Sequence, residues 1–444
     1  MSEQPASAGF QGYHQVNQAS EDAELTHVGP GTPCGEYMRR YWQPVAMSEE
    51  LGDLPLLVQV LGEHLVLFRD GSGRVGLLHR HCSHRGASLE YGIVADRGII
   101  CCYHGWQYDI DGTLIKAGSE PADSPICTRV VQGAYPTHES NGIVFAYLGP
   151  PDEKPAFPVF DTQFMPDTRA KPFSITTPCN WLQVYENTQD PIHVLHLHAR
   201  VSGVQFGAAS GVDQVIEYQE TPLGMMNIQT RYLDGRLWTR TTDSILPNGN
   251  QTGAIWEEAE EAKFFGRCAM LRWMVPVDNT TTRTIGWRFF NERLDPRGQD
   301  NPDAVGKECI DFIGQTEDER PYEERQRQPG DYEAQVSQRP IAIHALENRA
   351  SSDAGVARLR RLVRQRIQAL AAGEPVVRPD LFGLDAVSTY TQDTVCDWRG
   401  EGTPDDERMR VQGRLVAKAV LDTNTLAPAE REQKIKELCK DSGR

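Results

Sequence analysis

The 444-residue chain lacks the features that mark membrane proteins, disulfide-rich secreted proteins and nucleic-acid-binding proteins. No apolar run reaches the ~18 residues of a membrane span, and the first thirty residues contain no apolar signal core. Ten scattered cysteines are too few for a disulfide scaffold, which fits a reducing compartment. The net charge of −17 is the opposite of the basic surplus that nucleic acids require. We therefore expect a cytoplasmic protein that has neither a membrane nor a nucleic acid as its partner.

A dinucleotide-binding fingerprint is also missing. Residues 71–76 match the pattern G-x-G-x-x-G, but that pattern binds a pyrophosphate only where a helix follows it. Here residues 74–78 are typical of the next strand, so the glycines predict a hairpin turn. The chain contains no ferredoxin-type cysteine cluster either.

The length and the proline pattern indicate two domains after a polar lead-in. A proline-rich joint at 150–158 is the best candidate boundary, and the apolar spacing predicts a helix over 353–372 that Gly373 ends. Strand-like runs lie at 56–61, 64–69, 271–275 and 282–290. We predict an N-terminal extension over 1–41, a first domain over 42–150 and a second domain over 151–444.

Two short loops each carry one cysteine and one histidine, as Cys82-x-His84 and Cys101-x-x-His104. These ligands can divide around two sulfide-bridged irons, with both thiolates on one iron and both imidazoles on the other, so we predict a [2Fe–2S] cluster. Structural zinc is the alternative, although zinc fingers usually pair cysteine with cysteine and histidine with histidine. Neighbours that lie off the matching spacing are expected to be ordinary side chains: His79, His81 and Cys102.

A later segment concentrates polar ligands among apolar residues. Glu186, Asp190 and His193 fall at i, i+4 and i+7, which predicts one stripe of a helix. His193 and His198 are about 140° out of line on a regular helix, so both reach one metal only where the helix bends or restarts. Pro191 supplies that break, because proline suits the first turn of a helix. Two histidines and a distant carboxylate would form the facial triad of non-haem Fe(II) oxygenases; ordinary core histidines are the alternative.

Together these segments resemble the catalytic α subunits of Rieske non-haem iron oxygenases. The similarity runs from loops 82–86 and 101–106 through Asn180-Trp181 and Glu186-Asn187-x-x-Asp190-x-x-His193-x₄-His198 into the C-terminal region. Residues 38–44 and 102–108 resemble the phthalate dioxygenase-like branch, whose members act on phthalate, phenoxybenzoate and methoxylated aromatic acids. The resemblance implies an α+β fold, with a β-rich Rieske [2Fe–2S] domain over 42–150 and a helix-grip-like catalytic domain, built from an antiparallel sheet and helices, over 151–444.

The resemblance also implies the metal ligands. His193 and His198 would bind a mononuclear Fe(II), and His196 would be a bystander. The third ligand should be an aspartate in the C-terminal third, where Asp331 fits the family context best. Asp353 competes with it, but its sequence neighbourhood is typical of a helix start.

Asn187 and Asp190 are the candidate catalytic residues that the resemblance implies. Asp190 matches a carboxylate that accepts hydrogen bonds from His193 and, across a subunit interface, from a cluster histidine. Electrons would then pass between neighbouring chains of a ring, so a homotrimer or a stacked hexamer is expected. Since this chain has no nucleotide site, a separate NAD(P)H-dependent reductase is expected to supply the electrons.

The implied function is that of a terminal oxygenase that uses O₂ to hydroxylate a small aromatic substrate, with an aromatic acid as the expected class. O- or N-demethylation of a methoxylated or N-methylated aromatic compound is the alternative, because the same metals serve both. Arg231, Arg240 and Arg288 are candidates for binding a substrate carboxylate, although such arginines more often serve structural ion pairs. The hypothesis from a different class is an electron carrier or a zinc-stabilised binding protein, which the two histidines at 193 and 198 oppose.

Overall fold

The structure is a computed structural model that describes residues 19–118, 120–121, 124–202, 205–295, 297–379 and 386–440. Strands between residues 42 and 147 form three small antiparallel sheets, ordered β1-β11-β10, β2-β3-β4-β9 and β5-β6-β7-β8. These strands are β1 (Trp42–Met47), β2 (Leu56–Val60), β3 (Glu63–Arg69), β4 (Val75–His79), β5 (Ile93–Val94), β6 (Ile99–Ile100), β7 (Trp106–Tyr108), β8 (Leu114–Ala117), β9 (Ala134–Tyr135), β10 (Thr137–Ser140) and β11 (Ile143–Tyr147). The first Cys/His loop follows β4, and the second joins β6 to β7.

The glycine pattern at 71–76 forms the predicted hairpin turn. Asp70 N donates to Arg74 O over 2.9 Å, and Gly73 has a φ of +87°, a left-handed conformation that favours glycine. β4 then begins at Val75 in antiparallel register with β3. A strand, not a helix, therefore follows the glycines, which confirms the prediction.

The second half of the chain is organised around one antiparallel sheet, nine-stranded over the described residues. Its order is β12-β19-β18-β16-β15-β14-β13, and β20 pairs with β15 and β17. The strands are β12 (Arg169–Thr177), β13 (Gln214–Thr221), β14 (Gly224–Leu233), β15 (Arg236–Ile245), β16 (Gly249–Thr252), β17 (Lys263–Gly266), β18 (Met270–Pro276), β19 (Thr282–Phe290) and β20 (Gln392–Asp397). The strands predicted at 271–275 and 282–290 are β18 and β19.

Alternation of side chains gives this sheet two different faces. On one face, Met226 and Ile228 of β14 pack against α9 (Asp406–Asp422) and α10 (Pro428–Cys439). The register carries this face across to Trp273 of β18, which packs edge-on against Phe145 of β11 at 5.4 Å between ring centroids. The residues between these positions point to the opposite face.

Helices cover the opposite face. α4 (Trp181–Glu186) packs on β18, and its Tyr185 donates to the Ile245 carbonyl over 3.0 Å. The remaining helices are α1 (Ala23–Thr26), α2 (Pro33–Arg39), α3 (Ile126–Arg129), α5 (Pro191–Leu195), α6 (Tyr322–Arg327), α7 (Asp331–Val336) and α8 (Ala354–Ala371). α8 confirms the helix predicted over 353–372 to within one residue at each end.

The described part of the N-terminal lead-in is tied to the second half of the chain. Leu25 and Val28 are fully buried. The Leu25 carbonyl accepts a hydrogen bond from Trp181 Nε1 over 3.1 Å, and the Thr26 carbonyl accepts one from Asn180 Nδ2 over 2.8 Å. These residues therefore belong to the large hydrophobic core.

The α+β fold class is confirmed, with a β-rich first half and an antiparallel sheet covered by helices in the second. The domain boundaries at 41/42 and 150/151 stay predictions; β11 ends at Tyr147 and β12 begins at Arg169, which leaves the proline-rich joint between the sheets. Among the described residues, no helix combines the length and apolar composition that a membrane span needs.

Candidate metal centres and substrate cavity

The two Cys/His loops fold in the same way. In each, the cysteine carbonyl accepts a hydrogen bond from the glycine four residues later, Gly86 N to Cys82 O over 2.8 Å and Gly105 N to Cys101 O over 3.0 Å. Both glycines have left-handed φ angles, +76° and +68°, which a side chain would disfavour. The same backbone turn therefore begins at each cysteine, with the histidine two residues later in the first loop and three residues later in the second.

The four predicted cluster ligands meet as two pairs. The Cys82 and Cys101 thiols are buried and lie close enough to interact; burial together with the neighbouring Cys82 thiol raises the pKa of Cys101. The His84 and His104 rings lie 4.6 Å apart between centroids, inclined by 72°. Thiol beside thiol and imidazole beside imidazole is the division that a two-iron Rieske cluster needs.

The residues fit such a cluster better than a single zinc ion. His84 Nδ1 is buried and has no hydrogen-bond partner among the described residues, as expected of a nitrogen that is placed for a metal. Burial, His84 and Arg85 lower the pKa of His104, which favours the neutral imidazole that metals bind. A tetrahedral zinc site would hold its ligand atoms within about 4 Å of one another. In the described structure, the ligand atoms of no three of these four residues all lie within 4.8 Å of one another.

Two supporting residues were not found from the sequence. The Tyr108 hydroxyl lies 3.0 Å from Cys82 Sγ and 3.0 Å from Ser83 Oγ. Gln132 is buried; its amide oxygen accepts from Ser83 N over 2.8 Å, and its amide nitrogen donates to the carbonyls of His79 and His81. The spacing of the ligands indicates neither side chain. Gln132, moreover, comes from a segment about thirty residues beyond the second loop.

The neighbours expected to be ordinary side chains lie outside the ligand group. His79 Nε2 is 3.4 Å from the Tyr135 hydroxyl and 3.5 Å from Glu63. His81 Nδ1 contacts the Gly86 carbonyl at 3.0 Å, and Cys102 is exposed.

The second centre is built on an interrupted helix. α4 ends at Glu186, a 3₁₀ turn spans Asn187–Gln189, and α5 restarts at Pro191 with the Asp190 side chain capping Ile192 N over 3.2 Å. A π-helical turn, His196–Val201, follows directly. Such wide turns are frequent at functional sites because they re-aim side chains. The restart at Pro191 was predicted, whereas the π turn was not.

The interruption overturns the predicted stripe of Glu186, Asp190 and His193. Glu186 faces α8 and is held by Arg360 through two contacts of 2.6 Å, away from the two histidines. The three residues belong to separate helical turns, so the i, i+4, i+7 spacing does not align them.

The structure brings His193, His198 and Asp331 together. Their ligand atoms lie within 4.8 Å of one another, and this is the one such cluster of three or more among the described residues. Asp331 Oδ1 lies 3.2 Å from His198 Nε2 and 3.6 Å from His193 Nε2. Burial opposes ionisation of Asp331, but the His198 and His193 charges outweigh it and lower its pKa, which keeps the carboxylate in the form that binds metal.

Side chains from distant segments orient the carboxylate. Asn187 Nδ2 donates to Asp331 Oδ1 over 2.9 Å, and Gln315 Nε2 donates to Oδ2 over 2.9 Å. Asp353 lies outside the cluster; it precedes α8 and accepts a hydrogen bond from Ala350 N over 2.6 Å. The role of Gln315 was not visible in the sequence, because nothing in its spacing relates it to the histidines.

The histidine rings are oriented through Nδ1, which leaves Nε2 for a metal. His198 Nδ1 lies 2.5 Å from Gln205 Oε1, and His193 Nδ1 contacts the main-chain carbonyl of Asp190. The resemblance implied that the Asp190 carboxylate would accept a hydrogen bond from His193. The carboxylate instead caps α5, and the same residue contacts His193 through its backbone. His196 is exposed and outside the cluster.

A cavity of about 760 Å³, its open mouth included, lies beside this cluster. One wall is the sheet face opposite α9 and α10, and it is polar. The other wall comes from the interrupted helix and neighbouring loops, and it is partly apolar. The sheet contributes Asn227, Gln229, Arg240, Thr242, Asn250, Thr252, Met270 and Arg272, and the other segments contribute Asn187, Thr188, Asp190, Pro191, His193, Val194, His198, Phe206, Ile255, Phe312 and Asp331.

The three candidate arginines differ in their partners. Arg240 lines the cavity, but its Nε lies 3.3 Å from Asp393 Oδ1. Arg288 is buried in ion pairs with Asp300 and Asp311, away from the cavity lining. The third candidate, Arg231, is buried over Trp238, with its Nε and Nη1 unpartnered among the described residues; burial, with Arg240 nearby, lowers its pKa to about 9.

The comparisons with known proteins agree with this geometry. Residues 41–132 match the family described as the Rieske [2Fe-2S] domain. Over 386 residues the chain is 48% identical to the oxygenase subunit of tert-butanol monooxygenase / tert-amyl alcohol desaturase of Aquincola tertiaricarbonis, covering 84% of this chain and 82% of the relative. The α subunit of phenoxybenzoate dioxygenase from Ectopseudomonas oleovorans is 37% identical, covering 79% and 86%.

The solved structures show the same fold. The caffeine complex of the NdmA QL mutant of Pseudomonas putida CBB5 superposes with a TM-score of 0.57 at 19% identity, over 84% of this chain and 100% of that one. The identity to the oxygenase subunits, the coverage of both proteins and the two sets of candidate metal-binding side chains lead to one assignment. This chain belongs to the Rieske non-haem iron oxygenases as the oxygenase (α) subunit, an oxidoreductase with a [2Fe–2S] cluster and a mononuclear iron.

Proposed function

We propose that this oxygenase hydroxylates a small aromatic substrate, with an aromatic acid as the substrate class. The observation that carries this proposal is the cavity beside His193, His198 and Asp331, which offers ring-packing and cationic surfaces together. Phe206 packs 4.9 Å from the His198 ring and 5.6 Å, edge-on, from Phe312, between ring centroids. An aromatic ring packed on these two side chains would lie next to the metal ligands.

In this proposal, some site residues bind the two metal centres and others orient a metal ligand or the substrate. Cys82, His84, Cys101 and His104 hold the cluster, and His193, His198 and Asp331 hold the iron. When bound, the iron supplies the activation of O₂. Asn187 fixes the Asp331 carboxylate, and the cavity walls hold the substrate carbon near the ligands while limiting the access of water.

The electron balance requires a partner. Monohydroxylation converts a C–H bond into C–OH with one O₂, two electrons and two protons, and the second oxygen atom leaves as water. cis-Dihydroxylation places both oxygen atoms of O₂ on the ring with the same electrons and protons. A separate NAD(P)H-dependent reductase supplies the electrons, as expected of a chain without a dinucleotide site.

A ring of chains would connect the two centres. His104 lies near the surface beside Tyr103, an exposed aromatic residue with its ring centroid 3.8 Å away. Asp190 is partly exposed where α5 begins. We infer a homotrimer or stacked hexamer in the cytoplasm, in which the cluster loops of one protomer lie against Asp190 of its partner. Light scattering of the holoenzyme tests this assembly; a monomer would contradict it.

A tertiary alcohol is the second candidate substrate. It rests on the 48% identity to a relative named for tert-butanol and tert-amyl alcohol. The polar sheet wall, with Asn227, Thr242 and Thr252, could donate to and accept from a hydroxyl group.

A turnover assay of the anaerobically purified protein separates these candidates. The assay combines a surrogate reductase, NADH and O₂ with benzoate, phthalate, 4-phenoxybenzoate, 4-methoxybenzoate, caffeine and tert-butanol, and mass spectrometry identifies the products. A ring product that gains one or two oxygen atoms supports the proposal and separates mono- from dihydroxylation. Formaldehyde with loss of a methyl group establishes the demethylase alternative.

Two results would contradict the aromatic proposal. Oxidation of tert-butanol alone would move the substrate class to tertiary alcohols. Reduction and reoxidation of the cluster without any product from a fully iron-loaded protein would remove the aromatic-acid assignment but leave the cluster and the fold.

A further inference from the structure

We propose that Arg272 is the residue that binds the anionic group of the substrate, and that the cavity therefore selects organic acids over neutral molecules of the same shape. This inference rests on the proposed function, since it concerns the same cavity. Arg272 was not among the arginines that the sequence indicated. Its assignment comes from its position, its lack of a carboxylate partner and the shape of the surrounding lining.

The position of Arg272 follows from the register of the sheet. In β18 its neighbours Leu271 and Trp273 point into the core, so Arg272 points to the cavity face. It lies opposite Asn250 of β16 and Gly286 of β19. A methyl group on Gly286 would lie 2.5 Å from the Arg272 Cα, so glycine is required for this close approach.

Within the described part of the chain, the Arg272 side chain makes one hydrogen bond, which leaves the ends of the guanidinium group available. Its Nε lies 3.4 Å from Asn250 Oδ1. Neither of its terminal nitrogens has a hydrogen-bond or ion-pair partner among the residues that the structure describes. The two terminal nitrogens of an arginine form a planar fork that matches the two oxygens of a carboxylate.

Among the described residues, no carboxylate pairs directly with Arg272. Burial lowers the pKa of this guanidinium, and the charge of Asp331 opposes the effect. Asp331 is a proposed iron ligand, so its negative charge is already shared with a metal. An anionic substrate group would supply a direct counter-charge to this partly buried cation.

The other cavity arginine is different. Arg240 also lines the cavity, but Asp393 pairs with it and the Ala254 carbonyl accepts a hydrogen bond from it. It is therefore held in place by the protein. Arg272 is the cavity-lining arginine, within the described residues, that has no carboxylate partner.

The remaining lining indicates how an acid would lie. Met270 flanks Arg272 on the same face of β18, and Phe206 and Phe312 belong to the opposite wall beside His198. With its carboxylate on Arg272, an aromatic acid would place its ring among these apolar side chains. The ring would then face the histidine ligands.

Binding of benzoate and of its neutral isostere benzamide to the iron-loaded holoenzyme tests this inference directly. Isothermal titration calorimetry on the wild type and on Arg272→Met measures both affinities, with 4-phenoxybenzoate and phthalate as further acid probes. Arg293→Met is the matched control, because it removes an equal charge at a side chain that is 76% exposed and outside the cavity. Arg272→Lys keeps the charge but loses the fork.

We expect the wild type and Arg293→Met to bind at least one acid more tightly than its neutral counterpart. Arg272→Met should lose about 10- to 100-fold in acid affinity, the range expected for a hydrogen-bonded charge pair, with benzamide unchanged. Arg272→Lys should lie between the two. Circular dichroism and the cluster absorption spectrum establish that each variant is folded and loaded.

Three outcomes overturn the inference. They are equal acid affinity in the wild type and Arg272→Met, equal affinity of the wild type for benzoate and benzamide, and no acid binding to the wild type at all. If an acid fails to bind but a neutral aromatic compound is oxidised, the anion site is wrong while the oxygenase proposal stands. If acids bind through Arg272 and no aromatic compound is oxidised, the anion site stands and the proposed reaction fails.

Discussion

The cluster loops and the iron site differ in how the chain holds its metal-binding side chains. Cys82 and Cys101 each begin a tight turn that is closed by a main-chain hydrogen bond to a glycine in the same loop. His198 and Asp331, by contrast, are 133 residues apart. Their orientation depends on the side chains of Gln205, Asn187 and Gln315.

This difference affects how firmly each centre is expected to retain its metal. A local turn fixes its ligands through backbone geometry, so the cluster loops depend less on distant side chains, with Gln132 as the main exception. The iron site needs three segments to be brought together by the sheet and the interrupted helix. We therefore expect the iron site to be the more easily emptied of the two, without loss of the cluster.

The largest effect is expected from Asp331→Ala, which should empty the iron site and leave the cluster in place. Turnover should fall by at least about a hundredfold, because a ligand is lost and not merely a group that supports one. The iron content, measured by metal analysis, should fall from about three irons per chain to about two, and the electron paramagnetic resonance signal of the reduced cluster should be retained. Asp353→Ala is the matched control and should keep all three irons. Loss of the mononuclear iron in Asp353→Ala instead would reverse the ligand assignment.

A smaller effect is expected from Gln315→Ala, which tests the dependence on distant side chains. This variant leaves every proposed ligand in place but removes the donor to Asp331 Oδ2. Iron affinity should fall by about 10- to 100-fold, measured by the rate of iron loss to a chelator, while the cluster potential stays unchanged. Gln338→Ala, at an exposed glutamine that donates to the Ala334 carbonyl, is the control. An unchanged rate of iron loss would mean that Asp331 is held without Gln315.

Tyr108→Phe tests the cluster loops in the same way. It removes the hydroxyl that lies 3.0 Å from Cys82 Sγ and leaves the ring in the core. A hydrogen bond from this hydroxyl that stabilises the reduced cluster by about 1 kcal/mol raises the reduction potential of the cluster. Its loss in the variant should lower that potential by about 40 mV. Protein-film voltammetry measures this shift, and iron content should not change. A potential equal to that of the wild type would show that the hydroxyl does not act on the cluster.

The smallest effect is expected from Glu63→Gln, which acts on stability near the first loop and not on either metal. Burial opposes the charge of Glu63, but the His79 hydrogen bond and the Arg39 charge outweigh it and lower its pKa to about 2. Because this folded-state pKa lies below that of the unfolded chain, the ionised carboxylate stabilises the fold above about pH 4.5. That stabilisation is lost as the pH falls from about 4.5 towards 2.

Denaturant unfolding should therefore show Glu63→Gln to be less stable than the wild type by about 1 to 3 kcal/mol at pH 7. The difference should shrink by about 1 kcal/mol at pH 3.5. A difference that is independent of pH would exclude ionisation of Glu63 as its origin.

The arginines illustrate how far sequence patterns reach. Strand periodicity placed Arg231, Arg240 and Arg288 on strands, and all three are there. It could not tell that Arg288 pairs with two aspartates or that Arg272 pairs with none of the described carboxylates, because ion pairs form between segments that are distant in sequence. The same limit explains the predicted stripe of Glu186, Asp190 and His193, since the helix that would align them is broken twice.

The sequence by itself determined the hairpin at 71–76, the long helix α8, the restart at Pro191 and the two Cys/His loops. These features depend on interactions between residues that are close in the chain, where residue type and spacing dictate the backbone. The tertiary structure decided which aspartate joins the two histidines, which glutamines orient them, and which cavity arginine has no carboxylate partner among the described residues. Those choices depend on the sheet register and on packing between distant segments, which spacing along the chain does not encode.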